Sequence, residues 1–218
     1  MARVSHAAVW LVRAGPTVWD EEKRLGGSTD LPLSDRGIAE AHDRARVLRG
    51  QVVPQVLCGP DEASMGTAKI ICESSGCRLK AVRELGEVGL GLWEGVTEAG
   101  IEDRCPTTFR TWKTDPATVS IPGGEPMARA EERMLEVFRK LLPKHADKPG
   151  TLAVVLRPMA LGLTRCWIEQ RPTTDLWTLA LDGPGVERLS VDCSRLRERL
   201  GISSGGAAPR AGRSPLRA

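Results

Sequence analysis

The feature that most constrains the fold is the alternation of short apolar runs with amphipathic stretches. Residues 7–13 (AAVWLVR) and 151–156 (TLAVVL) have the length and composition of strands that are buried on both faces. Up to about residue 82, three apolar runs alternate with two helical patterns. This β-α-β-α-β order predicts a parallel sheet with helices on both faces.

Local signals place the remaining elements. Ser34 is expected to cap a helix that runs to about Arg49, and Pro158 to open one that runs to about Ile168. Other helices are predicted near 62–73, 97–104, 106–114 and 127–142, and other strands near 52–58, 79–82, 176–182 and 186–191. The segment Asp182-Gly183-Pro184-Gly185 indicates a hairpin-type turn between the last two strands.

The placement of charge argues against a nucleic-acid binder. The chain has 218 residues with 31 Lys and Arg against 28 Asp and Glu, a formal net charge of +3. Residues 203–218 contain Arg210, Arg213 and Arg217 and no acidic residue, so this segment carries the whole excess. Binding through a broad basic face needs Lys and Arg clustered on the folded surface. We expect one neutral domain over 1–202 and a disordered basic tail over 203–218.

Apolar runs and cysteines indicate where in the cell the chain is expected and whether it contains disulfides or a metal site. No apolar run approaches the roughly 18 residues that a membrane-spanning helix needs, and the N-terminus leads directly into a strand pattern, so we expect a cytoplasmic protein without a membrane partner. The six cysteines are irregularly spaced, which favours separate, mostly buried thiols over a disulfide framework. Only three histidines are present and none is near a cysteine, so neither a metal site nor a cofactor is expected.

Five segments, in order, resemble the histidine phosphatase superfamily, which contains the cofactor-dependent phosphoglycerate mutases. They lie at residues 11–37, 58–68, 85–95, 121–126 and 151–161. The resemblance implies a three-layer α/β/α sandwich of the phosphoglycerate mutase type, with a mostly parallel sheet and an antiparallel edge strand. Function has to be argued from the site residues, because one fold hosts many functions.

The resemblance also implies a phosphate site, and most of its residues are replaced. In that family a histidine after the first strand attacks phosphorus, two arginines hold phosphate oxygens, and a second histidine binds the transferring group. Arg13 matches the first arginine, whereas Ala14 stands at the nucleophile, Ala63 at the second arginine and Arg157 at the second histidine. A methyl group has no lone pair to donate, so the covalent route cannot start from residue 14.

A few positions of the resembling segments keep the family pattern or modify it. Glu87 matches the proton donor to the leaving group, and Trp19 and Trp93 are expected to pack loops rather than stack on a ligand. Asp20 stands where many members have Asn, and Gly26 where many have Gln. An acidic residue at the entrance disfavours an anionic substrate. A purely structural cluster in which Glu87 pairs with an arginine is the competing interpretation.

Other nucleophiles are not expected to compensate. His6 and His145 belong to segments that enter strands, and His42 lies in a predicted helix, whereas a site in an open α/β sheet lies at the carboxyl ends of the strands. Cys58 does end a strand, but we expect a buried, inert thiol.

Two functions from different classes therefore stand side by side. The first is a catalytically inactive protein of the histidine phosphatase fold with a binding, scaffolding or regulatory role, retaining weak anion binding through Arg13 and Arg157. The alternative is a phosphomonoester phosphatase or phosphoglycerate mutase-like enzyme that uses residual chemistry around Glu87. The expected partner is a protein or a phosphorylated small ligand, and a homodimer is left open.

Overall fold

A computed structural model describes residues 6–146 and 150–193. Its sheet has five strands in the order β3-β2-β4-β1-β5. The strands are β1 (His6–Arg13), β2 (Gln55–Cys58), β3 (Arg78–Ala81), β4 (Leu152–Leu156) and β5 (Val186–Asp192). All neighbours are parallel except β5, which runs antiparallel to β1 at the sheet edge. The predicted fold class, a three-layer α/β/α sandwich with an antiparallel edge strand, is confirmed.

Helices lie on both faces of the sheet. In the described residues they are α1 (Val18–Glu21), α2 (Asp35–Leu48), α3 (Glu62–Ser75), α4 (Glu98–Arg104), α5 (Pro106–Thr114), α6 (Met127–His145), α7 (Pro158–Ile168) and α8 (Leu176–Leu181). As predicted, Ser34 caps α2, where its side chain accepts a hydrogen bond from the Gly37 amide, and Pro158 opens α7. Helix α6 continues past the predicted end, with Pro143 in its last turn.

Two apolar clusters, one on each face, hold the layers together. In β4, Leu152, Val154 and Leu156 belong to the cluster formed with α6 and α7. Ala153 and Val155 belong to the cluster formed with α2 and α3. This period of two is what a pleated strand imposes when both of its faces are buried.

The C-terminal part of the prediction is wrong for one element. The segment predicted as a strand over 176–182 forms α8, so the turn at 182–185 joins a helix to β5 and is not a hairpin. The buried residues Leu176, Leu179 and Ala180 follow a helical spacing that also fits a short apolar strand. Packing against α7 decides the matter, because Gly162 lets the two helices approach closely.

The cysteine prediction is wrong at one pair. Cys72 and Cys77 form a disulfide across the C-terminal end of α3, although their spacing gave no signal for it. Of the remaining cysteines, Cys58 and Cys166 are buried free thiols, Cys105 is an exposed one, and Cys193 is buried. The predicted domain end at residue 202 and the tail at 203–218 lie outside the described residues. Among the helices that are described, none has the length and apolar composition needed to cross a membrane.

Candidate active-site cleft

The carboxyl ends of the parallel strands border a cavity of about 420 Å³. In the pairing of β1 with β4, Arg13 is opposite Leu156, so Ala14 and Arg157 follow neighbouring strands at the same edge. The Ala14 amide donates to the Leu156 carbonyl over 2.8 Å, which continues the ladder by one step. The topology therefore brings together the two positions that the resemblance identified, and both residues line the cavity.

Ala14 is held tightly in the floor of this cleft. Its side chain is 3% exposed. The next amide, that of Gly15, donates to the Thr67 hydroxyl over 2.9 Å, and that hydroxyl donates to the Ala63 carbonyl of α3 over 2.9 Å. Ala63 is itself fully buried. The two positions that the resemblance assigned to the nucleophile and to the second phosphate arginine thus hold small apolar residues that are part of the packing.

Arg157 lies in the floor with a side chain that is 3% exposed. Its Nη2 lies 3.9 Å from Asp20 Oδ2, and its Nη1 lies 4.0 Å from Asp61 Oδ1. Neither distance is a hydrogen bond, and Nε and Nη1 have no hydrogen-bond partner among the described residues. One guanidinium here faces two carboxylates, so the floor carries no surplus of positive charge for an anion.

Both carboxylates are positioned by helix starts. Asp20 Oδ2 accepts from the amide and the hydroxyl of Thr17, each over 2.7 Å, in the capping box of α1. Asp61 is the N-cap of α3, where Oδ1 accepts from the Ser64 amide over 2.9 Å. The acids around Arg157 are therefore fixed by local structure, as capping residues of this type generally are.

Gly26 makes room for the Arg157 guanidinium. A Cβ atom at residue 26 would lie 2.6 Å from Nη2 of Arg157, well inside a van der Waals contact. Gly26 and Arg157 are therefore in direct contact. Both residues differ from those that the resemblance leads one to expect at these positions. A larger residue at 26 would require the guanidinium to move.

Glu87 caps the N-terminus of α7 and is almost completely buried. Its Oε1 accepts from the amides of Val88 and Ala160, each over 2.8 Å, and its Oε2 accepts from the Met159 amide over 2.9 Å. Burial raises the pKa of Glu87, while the charge of Arg157 and the three amides act in the opposite direction. The carboxyl group thus satisfies helix donors that would otherwise lack partners.

Arg133 holds the loop that carries Glu87. Its guanidinium donates to the carbonyls of Glu84, Gly86 and Glu87 over 2.6, 2.8 and 3.1 Å. It also forms a two-point ion pair with Glu125, with both distances 2.7 Å. The position of Glu87 is consequently fixed from both sides, by α7 and by α6.

Arg13 lines the cavity but is engaged by α8. Its Nη1 donates to the Ala180 carbonyl over 3.1 Å and to the Leu181 carbonyl over 2.7 Å. These carbonyls end the helix, where a cation is favourable. No direct ion pair joins Arg13 or Arg157 to Glu87 in the described part of the chain. The structural cluster expected around Glu87 is instead formed by Arg157, Asp20 and Asp61.

Trp93 and Trp19 pack loops, as their positions predict. Trp93 is buried against Phe109 and Trp112, with ring centroids 6.5 and 5.8 Å away. A Cβ atom at Gly95 would lie 3.0 Å from the Trp19 ring.

Glu94, next to Trp93 in sequence, accepts hydrogen bonds from the amides of Leu90 and Ser28 and from the hydroxyls of Ser28 and Thr29. Burial alone would raise the pKa of Glu94, but these donors lower it.

No described residue of the cavity wall is a histidine or a cysteine that could act as a substitute nucleophile. His6 and His42 are exposed and His145 is at the end of α6, and none of the three lines the cavity. Cys58 is fully buried at the end of β2. Burial raises the pKa of its thiol to about 12, and Asp61 adds to the shift. Among the described residues no group of three or more His, Cys, Asp or Glu could hold a metal ion.

Comparison with known proteins decides the family. The family model of the histidine phosphatase superfamily, branch 1, matches residues 9–200. The chain belongs to the histidine phosphatase superfamily. Among its relatives, a probable phosphoglycerate mutase of Yersinia pestis is 30% identical over 154 residues, which are 71% of either protein. Phosphoserine phosphatase 1 of Hydrogenobacter thermophilus is 24% identical over 182 residues, 84% of this chain and 85% of the relative.

Solved structures share this fold. A mycobacterial glucosyl-3-phosphoglycerate phosphatase superposes with a TM-score of 0.72 at 23% identity, over 79% of this chain and 85% of the other. The YhfR protein of Bacillus stearothermophilus gives the same TM-score at 24% identity, over 79% and 84% of the two chains. At this identity the likeness concerns the fold alone.

Sequence reasoning missed several residues of the cleft in this histidine phosphatase homologue. Asp61 could have been found, because it follows the carboxyl end of a strand adjacent to β4. Trp177 was assigned to a strand and lines the cavity from α8 instead. Arg36 and Glu40, on α2, also line it, and nothing in their spacing distinguishes them from a solvated helix face.

Proposed function

We propose that this chain is a catalytically inactive histidine phosphatase homologue with a binding or regulatory role. The observation that carries the proposal is the Arg157 cluster: a buried guanidinium between Asp20 and Asp61, in the space that Gly26 leaves free. Together with Ala14 and Ala63, this floor supplies neither a nucleophile nor a net positive charge. Loss of a covalent nucleophile alone costs on the order of 10⁶ in rate.

Phosphoryl transfer needs donors that neutralise charge on the transferring group. A guanidinium stays protonated and offers no nucleophile or base, so Arg157 can take the place of a histidine only as a cation. Its charge is directed at two acids here. We propose that Arg13 and Arg157 retain at most weak binding of free phosphate, and that the partner is a protein or a small organic ligand.

The alternative function, a phosphatase or mutase with residual chemistry at Glu87, has less support. A general acid must reach the leaving group and exchange its proton there. Both oxygens of Glu87 instead accept backbone amides of α7 and of its own loop. A role as helix cap accounts for this residue more completely than a role as acid.

The direct test is hydrolysis of generic phosphomonoesters, such as 4-nitrophenyl phosphate, at high protein concentration. We expect no turnover above the buffer rate. Turnover that survives further purification, and that disappears in Arg13→Ala or Glu87→Gln, would overturn the proposal. Such a result would favour the alternative function.

Restoring the nucleophile alone should not restore activity. Ala14→His would add an imidazole to a cleft whose floor guanidinium, Arg157, already faces Asp20 and Asp61, so we expect no measurable hydrolysis of 4-nitrophenyl phosphate by the folded variant. Circular dichroism and thermal unfolding establish first that the variant folds, because residue 14 is buried. Turnover by the single variant would show that the rest of the site is less damaged than we infer.

A further inference from the structure

A second group of charges borders the cavity, away from its floor. Arg13 at the end of β1 and Arg36 and Glu40 on α2 all line the cavity. Glu40 Oε1 lies 2.9 Å from Arg36 Nε, and Glu40 Oε2 lies 2.7 Å from Nη2 of Arg44, one turn further along α2. Two guanidiniums thus share the Glu40 carboxylate, and Arg13 has no ion pair with an acid among the described residues, which leaves positive charge in excess on this side of the cleft.

Arg44 is the buried member of this group. Its side chain is 6% exposed, and its Nη1 has no hydrogen-bond partner within the described ranges. Burial lowers the pKa of Arg44; Glu40 opposes this shift, and the charges of Arg13 and Arg36 add to it. Arg44 therefore has one ion-pair partner, Glu40, while the charges of Arg13 and Arg36 lie close enough to oppose its own.

Arg13 and Arg36 still have donors to offer. Arg13 uses Nη1 for the carbonyls that end α8, and Arg36 uses Nε for Glu40. In the part of the chain that the structure describes, the other N–H groups of these two guanidiniums make no hydrogen bond. A carboxylate or phosphate group is the ligand that such a pair of forks binds best.

An apolar wall continues from these donors along α8. Leu181 and Trp177 are four residues apart on this helix, so they share one face, and both line the cavity. The Leu181 carbonyl accepts from Arg13, so the wall begins at the guanidiniums. Trp177 is held in place by a hydrogen bond from its Nε1 to the Trp112 carbonyl over 2.9 Å and by edge contact with the Trp112 ring.

We propose that Arg13 and Arg36, backed by Arg44, form an anion subsite of the cleft, and that the cleft takes an organic anion whose apolar body lies against Leu181 and Trp177. This inference rests on the proposed function, because it names the ligand class for a cleft that does no phosphoryl transfer. The cavity volume of about 420 Å³ suits a small aromatic acid.

The floor of the cleft does not compete for the same anion. Arg157 already faces Asp20 and Asp61 and is almost inaccessible. Lys23, Arg24 and Lys113 also line the cavity, but Arg13 contacts the apolar wall directly through the Leu181 carbonyl, so we place the single anionic group at Arg13 and Arg36. The proposed ligand has an aromatic or alkyl body and one carboxylate or phosphomonoester group. Free phosphate lacks the apolar part and should therefore bind more weakly.

Isothermal titration calorimetry with four probes tests this subsite. The probes are 1-naphthoate, 1-naphthyl phosphate, neutral 1-naphthol and inorganic phosphate. We expect 1-naphthoate to bind at least about tenfold more tightly than 1-naphthol or phosphate, because only the naphthyl acids combine both halves of the site. Comparison of the carboxylate with the phosphomonoester then identifies the preferred anionic group.

A matched pair of variants locates the site. Arg36→Gln should weaken 1-naphthoate binding about tenfold, as expected for the loss of a charged hydrogen-bond donor. The control is Arg46→Gln on the same helix: its side chain is 67% exposed against 66% for Arg36, and its ion-pair partner is Asp43. Trp177→Leu should weaken the binding of 1-naphthoate without changing that of phosphate.

Two outcomes would overturn the inference: equal binding of 1-naphthoate by Arg36→Gln and the wild type, or inorganic phosphate binding as tightly as 1-naphthoate. Failure of the proposed function is recognised separately. Release of 1-naphthol from 1-naphthyl phosphate would contradict catalytic inactivity, whereas the 1-naphthoate titration, which involves no reaction, tests the subsite alone.

Discussion

At the scale of single residues, the floor of the cleft is closely packed around the buried Arg157. The guanidinium of Arg157 occupies space that depends on Gly26, and two capping acids face it. A large side chain at 157 and the smallest residue at 26 compensate each other in volume, as close-packed interiors require. The two positions should therefore be energetically coupled.

This coupling is measurable with a double-mutant cycle. Gly26→Ala should lower the free energy of unfolding by about 0.5–1.5 kcal/mol, less than a backbone clash would cost, because the added methyl displaces the end of the Arg157 side chain. In an Arg157→Ala background the same change should cost less, with a coupling energy of about 0.5–1 kcal/mol. Urea denaturation of the four proteins gives the values. The control is Gly89→Ala, where an added Cβ would lie no closer than 3.5 Å to a neighbour. Additive effects of the two changes would contradict the contact.

At the scale of elements, the start of α7 depends on Glu87. Its carboxyl group links the loop held by Arg133 to the first turn of the helix that follows β4. Because burial raises the pKa of Glu87, the folded protein holds this proton to a higher pH than the unfolded chain does. Stability contributed by Glu87 is therefore greatest at low pH and declines as pH rises from the ordinary glutamate range through the folded pKa.

Glu87→Gln tests this linkage. The variant should cost about 1–3 kcal/mol near pH 4, because an amide NH₂ cannot accept the Met159 amide as a carboxyl oxygen can. The difference between wild type and variant should shrink as pH rises, since only the wild type loses this stability. Urea denaturation from pH 4 to pH 8 measures it, with Glu84→Gln on an exposed side chain as the control. A difference that grows with pH would have the wrong sign.

The packing of α7 against α8 provides a second test at this scale. A Cβ atom at Gly162 in α7 would lie 2.6 Å from the Leu176 backbone carbonyl of α8. Gly162→Ala should therefore lower the free energy of unfolding by about 1–3 kcal/mol, despite the better helix propensity of alanine.

The matched control is Gly66→Ala within α3. There the nearest atom is the flexible Cδ1 of Leu33, 3.0 Å from an added Cβ. A side chain can shift where a backbone carbonyl cannot, so this variant should retain or gain stability. Thermal unfolding followed by circular dichroism compares the two variants. Equal effects at both glycines would contradict a close approach of α7 to α8.

At the scale of the whole molecule, sequence pattern was sufficient for the sheet because its strands are apolar and separated by clear helices. Parallel strands bring their carboxyl ends to one edge, so the adjacency of Ala14 and Arg157 could be expected before any coordinates. The strand predicted at 176–182 was wrong because a run of seven residues is too short to separate the helical period from the strand period, and packing against α7 favours the helix α8.

Side-chain partners of the cleft lay beyond what the sequence can predict. Glu87 reaches the amides of residues more than 70 positions later, and Arg13 reaches carbonyls more than 160 positions later. Such contacts depend on how loops cross the sheet edge and not on local spacing. Likewise, Arg44 has the surroundings of an ordinary surface arginine in sequence, and its burial follows only from packing beside Arg13 and Gly185.

The contact of Glu87 with the first turn of α7 has a consequence for competition. A tethered group competes with free ligands at an effective concentration of about millimolar or higher. A helix N-terminus can bind an anion through its free backbone amides. Here the amides of Met159 and Ala160 already donate to the Glu87 carboxyl group of the same chain. An outside anion would have to displace the Glu87 carboxyl group before it could bind these two amides.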